Sequence, residues 1–124
     1  ADALLAGAER SLKAAGNEVY SIIKVPGAFE LPLAAKWAID DGADVVIALG
    51  VVIKGETPHF DFVCDAATSG LTQVQLATDT PIGFGLLTVD TVQQALDRAG
   101  LPNSKEDKGA EAVEAAISMA MLRS

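Results

Sequence analysis

The only histidine of the chain, His59, follows a loop whose residues suit the binding of an anion. Gly55 frees the backbone to bend, Glu56 and Thr57 continue the polar loop, and Pro58 is typical of a first helical residue. The loop is expected to lead into a helix N-terminus, where free N–H groups and the helix dipole favour a group such as phosphate. Beside such a site, His59 is a candidate general acid or base. One alternative is an ordinary loop in which Thr57 only caps the following helix. The other is a histidine that lies on the surface or has its hydrogen-bond partners in the core.

Four further side chains and one lysine are candidates for binding. Phe29 beside Glu30 suits stacking on a planar ring and accepting hydrogen bonds from a polyol. The residues alone favour a core phenylalanine and a glutamate that suits a helix dipole. Phe84 lies between two glycines, which allow close approach of a ligand or of another backbone; a core aromatic is the alternative. Arg98 and Lys108 are either anion partners or solvated charges.

Other residue types exclude several kinds of site. Cys64 is interpreted as a small buried hydrophobe. No group of His, Cys and Asp has metal-ligand spacing, and the chain contains neither a GxGxxG motif nor a Walker loop.

Helical spacing and turn residues divide the chain into alternating helices and strands. The predicted strands are Val19–Val25, Asp44–Ile53 and Ile82–Thr88. The predicted helices are Leu4–Ala15 before Gly16, Leu33–Ala38 before Gly42, Pro58–Val74, a short helix from Thr91 to Gly100, and a last helix with the stripe Ala110, Val113, Ile117 and Met121. Such alternation predicts a parallel sheet with helices on both faces, and a first strand is expected upstream of Ala1. Ligands bind at the carboxyl ends of such strands, here Val25–Glu30, Val51–His59 and Phe84–Thr88.

Composition narrows the class of protein further. A chain of 124 residues that is 50% hydrophobic is expected to form a single domain over residues 1–124. The net charge of −8 argues against binding to nucleic acid or to anionic membranes. A single cysteine allows no intrachain disulfide, and neither a signal peptide nor a spanning segment is expected. A cytoplasmic protein is therefore expected.

Five segments together resemble lumazine synthase. Residues 25–32 read VPGAFELP, and residues 48–61 read ALGVVIKGETPHFD, which is similar to the ALGxVIRGxTxHFD motif of that family. Residues 84–88 (FGLLT), 94–100 (QALDRAG) and 108–112 (KGAEA) follow in the family's order. Each match is weak alone, but five in order over nearly the whole chain are highly specific.

The resemblance implies a reaction of riboflavin biosynthesis on a three-layer α/β/α sandwich with a parallel, flavodoxin-like sheet. 5-Amino-6-ribitylaminouracil condenses with 3,4-dihydroxy-2-butanone 4-phosphate (hereafter butanone phosphate) to give 6,7-dimethyl-8-ribityllumazine, phosphate and water. The family needs no cofactor or metal. Catalysis is mostly the positioning of two reactants, with assisted proton transfer.

The resemblance also implies a role for each matched residue. His59 matches the proton-transfer histidine, and Lys108 matches a lysine near the ribityl end. Residues matching the pyrimidine and ribityl pocket are Ala28, Phe29, Glu30, Val51, Val52, Ile53 and Phe84. Residues matching the phosphate site are Glu56, Thr57 and Arg98.

The resemblance has departures and leaves alternatives open. Lys54 stands where arginine is commoner, Asp107 stands where asparagine is common, and the family's first strand has no counterpart. Family members form homopentamers, some assembled into icosahedral shells, with the site between adjacent subunits and riboflavin synthase as a candidate partner. A non-catalytic cage subunit of the same fold and a phosphate-binding regulatory module are the alternatives to the enzyme.

Overall fold

The computed structural model describes residues 2–123 as helices packed on both faces of a short parallel sheet. The sheet consists of β1 (Val46–Ile53) and β2 (Ile82–Val89), with Val46 opposite Ile82 and Ile53 opposite Val89. Around it lie α1 (Asp2–Ala14), α2 (Leu31–Asp40), α3 (His59–Thr78), α4 (Val92–Asp97) and α5 (Lys108–Met121), and a 3-10 turn covers Ala28–Glu30. No helix among the described residues is long and apolar enough to cross a membrane.

The helices form one layer on each side of the sheet. Helices α1 and α5 pack on one face, and α2 and α3 pack on the other. One core cluster contains Leu4 and Leu87, and the second contains Leu71 and Ile82. This arrangement confirms the predicted three-layer α/β/α class.

Two glycines bring α5 very close to its neighbours. A Cβ on Gly83 of β2 would collide with the backbone carbonyl of Ala112, and a Cβ on Gly109 would collide with that of Leu4. Only glycine leaves room for this contact between backbones. The prediction that the glycines beside Phe84 admit another backbone is therefore confirmed at Gly83.

The predicted strand Val19–Val25 is wrong. The segment is irregular and exposed, with Val19 fully accessible and Ile23 62% accessible. Among the described residues the sheet has only β1 and β2, so the segment has no ladder to join. β-branched residues favour strands only where they can pack and pair. One side-chain hydrogen bond, from the Tyr20 hydroxyl to Glu9 at 2.6 Å, ties the segment to α1. The strand expected before Ala1 lies outside the described residues.

Two helix ends also differ from the prediction. Thr57 does not cap α3; the cap position is Pro58, without a side-chain hydrogen bond. Helix α4 ends at Asp97 rather than at Gly100, because the amide of Gly100 donates to the carbonyl of Glu106 at 3.0 Å and not to the carbonyl of Leu96 four residues back. The amides of Lys105 and Glu106 donate to the carbonyl of Asp97 at 2.8 and 2.9 Å, which holds this loop against the end of α4.

The buried stripe of α5 is rotated relative to the predicted one. The buried positions are Gly109, Ala112, Val113 and Ala116, whereas Met121 is 67% exposed. Small residues face inward because α5 packs so closely on α1 and β2. Side-chain size therefore determines which residues of α5 face the core more than hydrophobicity does.

Candidate active site

The carboxyl ends of β1 and β2 meet at one edge of the sheet. The amide of Lys54, directly after β1, donates to the carbonyl of Val89 at 2.9 Å. Val51 and Val52 are half-buried before this edge, and Ile53 is 42% exposed at it. The loop into α3 and the segment into α4 therefore start side by side, as expected for a ligand site in a parallel sheet.

A cavity of about 500 Å³ lies between the 3-10 turn and the start of α3. Its lining residues are Gly27, Ala28, Phe29, Glu30, His59, Phe62 and Val63. Two distant sequence segments, singled out separately, thus meet around one space. We call it the His59 cavity.

The 3-10 turn presents its side chains to the His59 cavity. Gly27 is fully extended, and the amide of Glu30 donates to the carbonyl of Gly27 at 3.1 Å, which closes the turn. A Cβ on Gly27 would lie 3.3 Å from Oε1 of Glu30, so the carboxylate folds back over the glycine. Phe29 and Phe62 are 63% and 71% exposed. The cavity therefore offers aromatic surface, one carboxylate and one imidazole.

His59 is the first residue of α3. The amides of Asp61 and Phe62 donate to the carbonyl of Pro58 at 3.0 and 3.3 Å, while the first amides of a helix have no intrahelical acceptor. Glu56 and Thr57 lie exposed in the bend immediately before. This local arrangement suits an anion next to His59.

Arg98 and Lys108 come together in a second place, around a shared carboxylate. Nζ of Lys108 lies 2.8 Å from Oε2 of Glu106, and Nε of Arg98 lies 3.9 Å from Oε1 of the same residue. Lys108 also pairs with Glu111 at 3.3 Å, and Nη1 of Arg98 donates to the carbonyl of Gln94 at 2.9 Å. We call these side chains the Arg98–Lys108 cluster.

The cluster shifts the acidity of two of its members. The hydrogen bond from Lys108 holds the pKa of the Glu106 carboxyl below its usual range. The bonds to Glu106 and Glu111 raise the pKa of Lys108. Both groups therefore stay charged near neutral pH.

Phe84 belongs to neither group. It is 46% exposed on β2 and faces a recess of about 150 Å³ beside α3, with Leu71, Gln75 and Ile82 among its lining residues. Neither Phe84, Arg98 nor Lys108 lines the His59 cavity. Within one chain, the predicted site residues are thus divided among separate places.

Sequence reasoning missed several residues of these places. Phe62 lies three positions after His59 on α3 and so shares its face, a signal that was available. Glu106 gave no signal, because it reaches Arg98 and Lys108 only through the fold of its loop. Cys64 is half-buried rather than buried, since it precedes the inward positions Ala67 and Leu71 of α3; partial burial raises its pKa. Residues 2–123 contain no group of three or more His, Cys, Asp or Glu that could hold a metal.

Comparison with known proteins decides the family. The family model for 6,7-dimethyl-8-ribityllumazine synthase matches residues 1–124. The chain belongs to this family. It is 66% identical over 119 residues to the 6,7-dimethyl-8-ribityllumazine synthase of Clavibacter sepedonicus. The match covers 96% of this chain and 74% of that protein. The proteins of that name from Leifsonia xyli and Streptomyces avermitilis are 60% and 56% identical over 121 and 119 residues; these matches cover 98% and 96% of this chain and 76% and 74% of those proteins.

Membership of the lumazine synthase family confirms the activity predicted from the motifs. The chain is a transferase of riboflavin biosynthesis and carries out the condensation that forms 6,7-dimethyl-8-ribityllumazine. A regulatory module and a non-catalytic cage subunit are no longer needed to explain the sequence. The family is one of oligomeric, substrate-binding enzymes.

Proposed function

We propose that the condensation takes place at the His59 cavity, with the pyrimidine held against the 3-10 turn. The supporting observation is that Ala28, Phe29, Glu30 and His59 line one cavity although they come from two segments. Phe29 stacks on the planar ring, and the Glu30 carboxylate accepts hydrogen bonds from the ribityl hydroxyls. Val51, Val52 and Ile53 do not line the cavity themselves, and we assign their backbone groups, at the end of β1, to the edge of the pyrimidine.

Proton transfer is the role we assign to His59. The 5-amino group of the pyrimidine attacks the ketone of butanone phosphate, water leaves to give an imine, phosphate is eliminated, and the ring closes with loss of the second water. Each step moves a proton between nitrogen, oxygen or carbon, which one imidazole at the cavity can relay. Positioning of the two reactants supplies much of the remaining rate.

Binding of the phosphate group is assigned to Glu56, Thr57 and Arg98. The loop of Glu56 and Thr57 leads directly into the start of α3, where amides are free to donate, and the guanidinium of Arg98 supplies a planar, permanently charged partner. Because Arg98 and Phe84 do not line the His59 cavity of their own chain, we propose that an adjacent subunit of a homopentamer brings them to it. Lys108 would then approach the ribityl end together with Arg98.

The direct test incubates the assembled, full-length protein with both substrates and follows the absorbance of the lumazine product. Product should form without an added metal and in the presence of a chelator. Absence of product from correctly assembled protein would contradict the assignment of the reaction to this chain.

The shared site has a separate test by complementation. His59→Ala and Arg98→Ala subunits, each weakly active alone, are co-refolded in equal amounts, and mixing is verified by mass spectrometry. A head-to-tail interface takes one half-site from each neighbour, so about one quarter of the interfaces would have both halves intact. Activity should recover toward that fraction of the wild-type value. Mixed rings as inactive as their parents would assign both residues to one subunit.

We also infer the setting of the reaction. The homo-oligomer is a pentamer or an assembly of pentamers, the product passes to riboflavin synthase, and the reaction takes place in the cytoplasm. The single cysteine supports the last point, because a chain that needs no intrachain disulfide suits a reducing compartment. Analytical ultracentrifugation of the full-length protein distinguishes a pentamer from larger shells.

A further inference from the structure

The carboxylate of Glu106 lies between Arg98, to which we assign the substrate phosphate, and Lys108, a neighbouring cation that pairs with the same carboxylate. It is 2.8 Å from Nζ of Lys108 and 3.9 Å from Nε of Arg98. The three side chains are exposed to nearly the same extent, 36–38%. A dissolved anion can therefore reach both cations, and it meets a carboxylate already in place.

We propose that Glu106 is an internal counter-anion that competes with phosphate for Arg98 and Lys108 and so limits how tightly this end of the site holds phosphate. The inference rests on the proposed phosphate role of Arg98. It adds that the affinity is held down by a residue of the chain itself, which favours release of the product phosphate.

Glu106 is not needed to orient Arg98. The close contact of Glu106 is with Lys108, whereas its 3.9 Å separation from Arg98 is too long for a hydrogen bond. Arg98 is oriented independently by the Gln94 carbonyl, which accepts from Nη1 at 2.9 Å. Loss of the Glu106 charge thus leaves Arg98 held and removes a repulsion from an incoming dianion.

The fold of the loop does not depend on the Glu106 side chain. Its amide donates to the carbonyl of Asp97 at 2.9 Å, and its carbonyl accepts from the amide of Gly100 at 3.0 Å. Both contacts are made by the backbone. Glu106→Gln therefore changes the charge and keeps the shape, and Glu114→Gln removes an equal charge from an exposed position of α5 that contacts neither cation.

The experiment measures the dissociation constant of inorganic phosphate for the assembled protein by phosphorus NMR, and the KM of each substrate by lumazine absorbance. In Glu106→Gln, phosphate should bind roughly three- to fivefold more tightly, the scale of an exposed ion pair. The KM of butanone phosphate should fall by a similar factor, with the KM of the pyrimidine unchanged. Glu114→Gln should match the wild type in all three values. The gain should shrink as salt is added, because the charges are exposed.

Three results would overturn the inference: unchanged phosphate binding in Glu106→Gln, weaker binding, or an equal gain in Glu114→Gln. Weaker binding would make Glu106 a positioning residue for the cations. Arg98→Ala separates this failure from a failure of the proposed phosphate site. If Arg98→Ala weakens phosphate binding while Glu106→Gln does not tighten it, only the counter-anion is wrong. If Arg98→Ala leaves phosphate binding unchanged, the phosphate role of Arg98 falls, and the counter-anion falls with it.

Discussion

The His59 cavity and the Arg98–Lys108 cluster are organised in opposite ways. In the cluster, Arg98 and Lys108 are held by Glu106, Glu111 and a backbone carbonyl. In the cavity, within residues 2–123, the side chains of His59 and Glu30 make no hydrogen bond or ion pair. The cavity is placed by the backbone turn at Ala28–Glu30 and the start of α3, with His59 exposed and Glu30 half-buried.

The two places differ in whether their polar groups already have a partner within the protein before a ligand binds. Unpaired polar groups at the cavity can bind a polyol or relay a proton without first giving up a protein partner. The cations of the cluster must exchange a carboxylate for a phosphate, which lowers the net gain from binding. Affinity for the uncharged ring and affinity for the phosphate can therefore be changed independently.

Arg98→Ala should have the largest effect, and it breaks the cluster alone. The KM of butanone phosphate should rise by about 30-fold or more, since a charge-assisted pair is worth roughly 2 kcal/mol or more once the substrate covers it. The KM of the pyrimidine should change far less. Arg123→Ala is the control, because Arg123 pairs with Asp79 in an exposed ion pair at 2.9 Å. Equal effects on both substrates would show that Arg98 shapes the subunit instead.

His59→Ala breaks the cavity alone. Turnover should fall on the order of ten- to a hundredfold, while assembly and the KM of butanone phosphate stay near the wild-type values. His59→Gln keeps hydrogen-bonding capacity but cannot relay a proton, so it should be as slow as alanine. Steady-state kinetics with both substrates measures this, and unchanged turnover in both variants would remove His59 from the mechanism.

Phe62→Ala tests the His59 cavity without affecting the Arg98–Lys108 cluster, because it changes the apolar wall of the cavity and leaves every charge in place. The KM of the pyrimidine should rise by about two- to tenfold, the scale of one aromatic contact. Leu76→Ala is the matched control, since Leu76 is 77% exposed on the same helix and does not line the cavity. A rise confined to butanone phosphate would contradict stacking of the pyrimidine at this wall.

The smallest expected effect is a shifted titration in the cluster. NMR should find the pKa of Glu106 below the usual range of a glutamate, because the Lys108 ammonium donates to the charged carboxylate. Lys108→Met should move the pKa of Glu106 back up. The contribution of the pair to stability is then present above the ordinary carboxyl pKa and is lost as pH falls through the lowered one. Identical titrations of Glu106 in the wild type and in Lys108→Met would mean that the pair does not persist in solution.

The sequence predicts the parts of this molecule that depend on local patterns. The long apolar run of β1, the two glycines within β2 and the helical periodicity of α3 are all signals within the residues of those elements. The run Val19–Val25 has the same local signal as a strand, yet it lacks a neighbour to pair with, and pairing is not a local property.

The candidate site likewise has parts that the sequence predicts and parts that depend on long-range contacts. The sequence predicts the meeting of His59 and Phe29 from the carboxyl ends of two neighbouring strands. Among the described residues only the strand before His59 forms, and the 3-10 turn that carries Phe29 is placed by its contacts with α3. The contact of Glu106 with Arg98 and Lys108 depends on how one irregular loop returns to α4, through the amides that take the Asp97 carbonyl. No spacing or residue type in that loop specifies this return.

The contact between Gly109 and the Leu4 carbonyl allows selection for packing to be separated from selection for catalysis. Gly109 directly follows Lys108, and any side chain there would push α5 away from α1. A lineage that abandoned catalysis but kept this α1–α5 packing would still retain glycine at position 109, whereas Lys108 would be free to drift. Invariance at one position and variability at its neighbour would then distinguish descendants selected for assembly from those selected for chemistry.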